Sequence, residues 1–147
     1  MKKRIAALGL DLGTKRIGVA GCDGLGMMAT GLTTINRTSF VADIAELKYW
    51  VKEREVEILV VGLPYRLDGT LGTQAEKIQK LAERIGQALQ LPIEYINESL
   101  TSCEAEEMMK SQGVRVSENK GLVDRKAAAI ILQQWLDDQA RSRENQI

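Results

Sequence analysis

Three acidic residues occupy positions from which their carboxylates could act together on a ligand. Asp11 ends an apolar strand, Glu98 follows a short strand, and Asp124 lies near the start of the last helix. Asp124 precedes Ala128 by four residues and Ile131 by seven, so it falls on the apolar side of that helix. Ligand sites of α/β sheets gather at the carboxyl ends of strands, which is where Asp11 and Glu98 are expected.

Each of these carboxylates also has an ordinary structural explanation. Asp11 could simply form the turn after its strand. Glu98 could lie near the start of the next helix, where the helix dipole stabilises a carboxylate. Asp124 could cap its own helix or be neutralised by a basic neighbour. Together, however, the three supply the hard oxygen ligands that suit Mg²⁺ or Mn²⁺. Two such ions, roughly 4 Å apart, can activate a water molecule and stabilise the leaving oxygen of a phosphodiester.

The chain contains no histidine, and this narrows the chemistry. A Ser-His-Asp triad and a Cys-His pair are both excluded, and a typical catalytic zinc site is disfavoured because such sites use imidazole ligands. The two cysteines, Cys22 and Cys103, belong to no CxxC motif and are expected to be reduced thiols. Acid–base chemistry must therefore depend on carboxylates, Lys, Tyr, Cys or a metal-bound water.

Length and charge bound the architecture and the partners. The 147 residues suit a single domain, expected at residues 1–140, with a polar C-terminal tail at 141–147. The formal net charge is zero, which argues against a protein that coats nucleic acid by charge alone but leaves room for a local basic patch. The basic start lacks a cleavage site after it, and no apolar run is long enough to span a membrane. We therefore expect a cytoplasmic protein without a membrane partner.

The hydrophobic pattern predicts a mixed α/β fold. Strands are expected at residues 5–12, 17–22, 31–36, 56–62 and 92–96. Helices are expected from Phe40, with Ser39 as N-cap, and at residues 75–89, 104–110 and 122–139. The first three strands have no helices between them and predict an antiparallel meander, whereas the later alternation of strands and helices predicts parallel connections. The result is a mixed five-stranded sheet flanked by helices on both faces.

Four segments of the chain resemble one known family at matching separations. They read GLDLGTKRIGVA at residues 9–20, GLPYRLDGT at 62–70, NESLTS at 97–102 and VDRKAAAIIL at 123–132. Together they span nearly the whole chain, and they resemble the motifs of the YqgF family, described as Holliday-junction-resolvase-like proteins and as pre-16S rRNA nucleases. The resemblance implies an RNase H-like fold.

The resemblance also implies a function and assigns roles. It implies that Asp11, Glu98 and Asp124 are the catalytic residues and the ligands of Mg²⁺ or Mn²⁺. The implied activity is that of a metal-dependent nuclease acting on structured nucleic acid, with 5′-end processing of pre-16S ribosomal RNA favoured and branched DNA as the alternative. The third motif departs from the family's usual Asp-Glu-Arg-Leu-Thr, because Asn97 replaces the aspartate and Ser99 the arginine. These changes are expected to affect the catalytic rate and the affinity for substrate, because they remove one negative charge and one guanidinium near the expected metals.

Basic residues in the loops around this edge of the sheet are the candidates for contacts with nucleic acid. Lys15 and Arg16 follow the first strand, and Arg66 lies in the second motif. Arg115 and Lys120 belong to a polar segment before the last helix and could close over substrate. Such residues bind phosphate by charge, although ordinary solvation is the commoner fate of a basic side chain. The low aromatic content predicts little base stacking, so recognition is expected to depend on backbone shape.

Two other functions fit part of the sequence. An ATP-dependent phosphotransferase would share the Asp-Leu-Gly-Thr pattern after a strand, but proteins of that class need two related domains and far more chain. A non-catalytic RNA-binding or ribosome assembly factor is compatible with the departures in the third motif, and it would not require the three carboxylates to converge. The chain could be a monomer or a homodimer, and a dimer would favour symmetric junctions as the substrate.

Overall fold

The computed structural model describes residues 5–64, 72–97 and 120–144. In these residues five strands form one sheet: β1 (Ala7–Leu12), β2 (Arg16–Cys22), β3 (Ala29–Asn36), β4 (Ile58–Leu63) and β5 (Ile93–Asn97). The helices of the same residues are α1 (Phe40–Glu53), α2 (Thr73–Leu89) and α3 (Lys120–Glu144). The strand order is β3-β2-β1-β4-β5, with antiparallel pairing from β1 to β3 and parallel pairing of β4 with both β1 and β5. The predicted mixed five-stranded sheet is therefore confirmed.

The two faces of the sheet carry different side chains, as β1 shows. Leu8, Leu10 and Leu12 alternate along the strand and are buried with the apolar residues of α1 and α2. Ala7 and Gly9 point to the opposite face, where α3 packs. β4 is buried along both faces, as its continuous apolar run predicts. The helices therefore lie on both faces of the sheet, again as predicted.

The ends of α1 and α2 follow the local rules of helix capping. Ser39 has an extended backbone, and its Oγ accepts a hydrogen bond from the N–H of Ala42 at 3.1 Å, which confirms the predicted N-cap. α2 begins after Gly72 and ends at Gln90, whose left-handed backbone (φ 57°) directs its N–H to the carbonyls of the last turn. The start of α2 is the part of this helix that reaches the candidate site described below.

The last helix is longer than its apolar stripe predicts. A helix is expected at 122–139, whereas α3 spans Lys120–Glu144 and includes part of the predicted polar tail. No Gly or Pro follows Gln139 to stop the helix, and Arg141 pairs with Asp138 three residues earlier. The predicted helix at 104–110 lies outside the described residues. Among the residues that are described, no helix is both long and apolar enough to cross a membrane.

The β2–β3 connection, at the end of the sheet opposite Asp11, is closed by local hydrogen bonds. Asp23 accepts from the N–H of Met27 at 2.8 Å and from that of Met28 at 3.2 Å. These N–H groups, that of Met28 first, hold the pKa of the Asp23 carboxyl below its usual value. Gln133 of α3 accepts from the N–H of Ala29 at 2.9 Å and donates to the carbonyl of Met27 at 3.0 Å. α3 is thereby attached to this hairpin.

Candidate active site

The strands β1, β4 and β5 run parallel and end at the same edge of the sheet. Asp11 is the last residue but one of β1, and Asn97 is the last residue of β5. The register of β1 on β4 and of β4 on β5 brings these two strand ends to about the same level. Glu98, which follows Asn97 in the sequence, lies outside the described residues.

A glycine of β2 brings Asp11 and Asp124 together. Asp11 lies directly opposite Gly18 in the antiparallel β1–β2 pair, so both residues project to the face of the sheet that carries α3. Gly18 is buried under the start of α3, and a Cβ built on it would lie 2.0 Å from the backbone oxygen of Asp124. No side chain larger than a hydrogen atom fits in this contact. Asp124 therefore packs on Gly18, the residue that pairs with Asp11.

An arginine from the same strand as Gly18 binds the carboxylate of Asp124. Arg16 Nε donates to Asp124 Oδ2 at 2.5 Å, and the two side chains are only 30% and 20% exposed. Because the pair is partly buried, solvent screens it less than a surface ion pair. The sequence predicts Arg16 as a contact for nucleic acid, and here its guanidinium neutralises a candidate metal ligand.

A recess of about 320 Å³ opens between the β1–β2 turn, the end of β3 and the first turns of α2. Among the residues that the structure describes, its charged and polar lining residues are Thr14, Lys15, Arg16, Arg37, Gln74, Lys77 and Asp124. Four of them are cations and one is an anion, in a chain whose formal net charge is zero. This turn recess, as we call it below, is therefore a local basic patch beside Asp124.

The residue after β3 holds the β1–β2 turn in place. Arg37 Nη1 donates to the carbonyl oxygens of Gly13 at 2.8 Å and Thr14 at 3.3 Å, and its backbone N–H donates to the carbonyl of Lys15 at 2.9 Å. Within the turn, the N–H of Gly13 donates to the carbonyl of Arg16 at 2.9 Å. The backbone that carries Lys15 is thus fixed both by its own turn and by a neighbouring strand.

The described residues include only part of the predicted site. Asp11 and Asp124 lie on the same face at one edge of the sheet, and Lys15 and Arg16 line the turn recess next to them. Lys120 is the first residue of α3 rather than part of a segment before it. The predicted residues outside the described ranges are Glu98, Arg66 and Arg115. Within the described ranges, no group of three or more acidic or cysteine side chains could hold a metal ion.

Among the described residues that line the turn recess, sequence reasoning missed the charged and amide side chains of Arg37, Gln74 and Lys77. A signal for Arg37 exists, because it follows a strand that runs antiparallel to β2, and a meander returns that strand's end to the β1–β2 turn. Gln74 and Lys77 lie at the start of α2. Their place at the site depends on how α2 packs across the sheet, which the local pattern does not specify.

Comparison with known proteins identifies the family. A family model described as "RuvX: Holliday junction resolvase" matches residues 5–138. A protein of Gloeothece citriformis (strain PCC 7424), named "Putative pre-16S rRNA nuclease", is 62% identical over 143 residues, which are 97% of this chain and 95% of the relative. A protein of the same name from Crocosphaera subtropica (strain ATCC 51142 / BH68) is 64% identical over 140 residues, or 95% of this chain and 98% of the relative.

Solved structures of two resolvases share the fold. T. thermophilus RuvC in complex with a Holliday junction substrate matches with a TM-score of 0.55 at 13% identity, covering 92% of this chain and 96% of that one. Fowlpox virus resolvase in complex with Holliday junction DNA matches with a TM-score of 0.54 at 8% identity, covering 92% and 99%. At such identities the likeness concerns the fold, which is RNase H-like, as the resemblance implied. On the family match and the close relatives, the chain belongs to the RuvX (YqgF) family of Holliday-junction-resolvase-like nucleases, which are hydrolases of phosphodiester bonds.

Proposed function

We propose that the chain is a Mg²⁺- or Mn²⁺-dependent nuclease that processes the 5′ end of pre-16S ribosomal RNA. In this proposal Asp11, Glu98 and Asp124 are the catalytic and metal-binding carboxylates. The name of the two relatives described above supports the choice of substrate. Such a role would place the protein in the cytoplasm, where bacterial ribosomes are assembled.

One observation carries the choice of site: Gly18 lets α3 set Asp124 over the position opposite Asp11. Carboxylates that lie near each other repel unless a cation is close to them. Carboxylate oxygens are the ligands that Mg²⁺ and Mn²⁺ prefer, so the donor set fits these ions. Arg16 supplies positive charge to Asp124 in this structure. Glu98 is included among the proposed metal ligands because of the family resemblance.

The protein's own part in the reaction is to position groups. Divalent ions, when bound, activate a water molecule and stabilise the leaving oxygen of the phosphodiester. Asp11 lies on the central strand and Asp124 on a helix packed against it, so their spacing is set by regular elements rather than by a loop. Arg16 has to share or release Asp124 when an ion binds there. Its planar guanidinium then suits a substrate phosphate.

The direct test compares Asp11→Asn and Asp124→Asn with Asp138→Asn. Asp138 is an exposed residue further along α3 that pairs with Arg141, and loss of such a pair costs little stability. The substrates are an RNA spanning the 5′ end of 16S rRNA with its precursor leader and a four-way DNA junction, each with Mg²⁺ or Mn²⁺. We expect the wild type and Asp138→Asn to cut the RNA. Cleavage by the other two variants should fall by at least about 100-fold, because loss of a ligand should exceed the effect of losing a residue that only supports one.

Calorimetric titration with Mn²⁺ alone reads out the metal site independently of catalysis. We expect weaker Mn²⁺ binding in Asp11→Asn and Asp124→Asn, with Asp138→Asn like the wild type and thermal unfolding showing that all variants fold. Cleavage that survives Asp11→Asn, or an excess of chelator, would show that the assigned site is wrong. Cutting of the junction but not of the RNA would make branched DNA the substrate. RNA binding without cleavage in either metal would identify a non-catalytic binding factor.

A further inference from the structure

We propose that the turn recess is a phosphate subsite that holds the substrate backbone beside the phosphodiester being cut. The inference rests on the proposed function for its substrate, but the phosphate contacts that it assigns are lysines and not the metal-binding carboxylates. It assigns Lys15 and Lys77 as the main phosphate contacts and Arg37 as the residue that positions the turn. It also gives the substrate strand a path across the edge of the sheet.

The charges of the turn recess leave two lysines available for an anion. Arg16 is bound to Asp124, and Arg37 Nε lies 3.8 Å from a carboxylate oxygen of the buried Asp43. In the part of the chain that the structure describes, no carboxylate forms an ion pair with Lys15 or Lys77. Both lysines are exposed and come from separate elements, the β1–β2 turn and α2, yet line the same recess. Because the two lysines line one recess from separate elements, both can contact the same stretch of phosphate backbone.

The subsite is built before substrate arrives. Arg37 bonds to three successive residues of the β1–β2 turn, through the carbonyls of Gly13, Thr14 and Lys15. The backbone below the Lys15 side chain is therefore fixed, and binding does not have to order it. A site that is already ordered binds its ligand more tightly, because less conformational freedom is lost. The volume of about 320 Å³ lies in the range of small ligand pockets, so it can accept a phosphate together with part of its sugar.

The position of the turn recess sets the direction in which the bound RNA strand runs. Asp124 lies at its border and belongs to the helix on one face of the sheet, whereas Lys77 belongs to α2 on the other face. An RNA strand whose reacting phosphate lies at the carboxylates therefore crosses the β1–β2 turn and continues towards the start of α2. Among the described residues, no aromatic side chain lines the recess, so none of them offers a surface for base stacking there. Contacts to phosphate alone carry no base sequence, and we expect this subsite to be indifferent to sequence.

The test measures binding of a fluorescent hairpin RNA with a single-stranded 5′ extension to the full chain, in chelator, over a range of salt concentrations. The variants are Lys15→Gln/Lys77→Gln and the matched control Lys52→Gln/Lys80→Gln, which removes two exposed lysines of α1 and α2 outside the recess. We expect the slope of log Kd against log salt to fall by about 1 for each recess lysine and to stay unchanged in the control. The same loss should appear with an RNA of scrambled sequence. In cleavage assays the recess variant should change KM more than kcat, because its contacts bind substrate before and during the reaction.

The outcomes separate this inference from the proposed function. If the wild type cuts RNA and both double variants show the wild-type salt slope, the subsite is wrong and the nuclease assignment stands. If the recess variant alone loses slope but no protein cuts RNA in Mg²⁺ or Mn²⁺, the subsite stands and the nuclease assignment fails. Equal losses of slope in both double variants would mean diffuse attraction to lysines and would overturn the subsite. Arg37→Lys should lower RNA affinity by less than the double variant if Arg37 acts only through the turn.

Discussion

The two faces of the central strand β1 differ in what they place against a helix. On one face, three alternating leucines are almost fully buried under α1 and α2. On the other, the alternate positions hold Ala7, Gly9 and Asp11, and α3 packs against Ala7 and Gly9. A Cβ on Gly9 would lie 2.8 Å from Cβ of Leu132 and therefore cannot be added without a shift. The leucine face fills volume with side chains, whereas the glycine face brings helix backbone against strand backbone.

The difference shows how one sheet can serve stability and chemistry at once. Large aliphatic side chains contribute most of the hydrophobic free energy, since it scales with the apolar area that is buried. Small residues contribute less, but they let a helix carry a polar group to within reach of the strand. Asp124 depends on this close approach, because its backbone oxygen contacts the glycine opposite Asp11. We therefore expect mutations on the leucine face to lower stability and mutations on the glycine face to lower activity.

The largest loss of stability is expected for Leu10→Ala, on the leucine face. Leu10 is fully buried, and truncation of such a residue leaves a cavity that costs about 2–5 kcal/mol of unfolding free energy. Urea unfolding measures this loss, and Leu10→Met should lose less than about 1.5 kcal/mol because it keeps the volume. RNA cleavage per folded molecule, measured well below the melting temperature, should persist. A loss of cleavage as large as that of Asp11→Asn would contradict the division between the faces.

A smaller loss of stability but a larger loss of activity is expected for Gly18→Ala. The new methyl group would overlap the backbone of Asp124, and overpacking of this kind costs about 1–3 kcal/mol. α3 must move away from β2, which carries Asp124 away from Asp11, so Mn²⁺ binding and RNA cleavage should both weaken strongly. Calorimetry and cleavage assays measure these effects.

The matched control for Gly18→Ala is Gly121→Ala at the start of α3. A Cβ at Gly121 would meet its nearest neighbour, Thr34, at an ordinary contact distance of 3.6 Å. Replacing a helical glycine by alanine stabilises a helix by up to about 1 kcal/mol, so this variant should be as stable as the wild type or more so. If both alanine variants bind Mn²⁺ like the wild type, close approach of α3 is not what positions the site.

The smallest effect is expected for Ser39→Ala, at the start of α1 on the leucine face. Loss of the hydrogen bond from the Ala42 N–H to the Ser39 hydroxyl should lower the unfolding free energy by about 1 kcal/mol. Ser39→Asp keeps an acceptor at the cap and should restore most of the loss. RNA cleavage and Mn²⁺ binding should not change in either variant. A change in metal affinity would show that α1 does affect the carboxylates.

Most of the fold could be predicted because its signals are local. The alternation in β1, the continuous apolar run of β4 and the Ser39 cap each predict one element without knowledge of the rest. The exact position of α3 on the sheet could not be predicted. In the sequence, Gly18 is only a glycine inside a strand, and nothing indicates that a helix packs on it. The ion pair of Arg16 with Asp124 joins residues 108 positions apart, and no short-range pattern indicates it. Periodicity gives no reason to assign the three carboxylates to one site; that assignment depends on the family resemblance and stays a prediction.

The ion pair between Arg16 and Asp124 bears on how the enzyme matures. The chain supplies its own counter-ion to the carboxylate of Asp124, a candidate metal ligand, so α3 can pack on the sheet without leaving a partly buried charge uncompensated. Folding therefore does not have to wait for a divalent ion, in contrast to small zinc domains, in which the metal must bind for the chain to fold. On the proposed metal site, assembly of the domain and binding of metal would be separate events. If Asp124 is a metal ligand, as proposed above, the protein would reach its folded state before it gains activity.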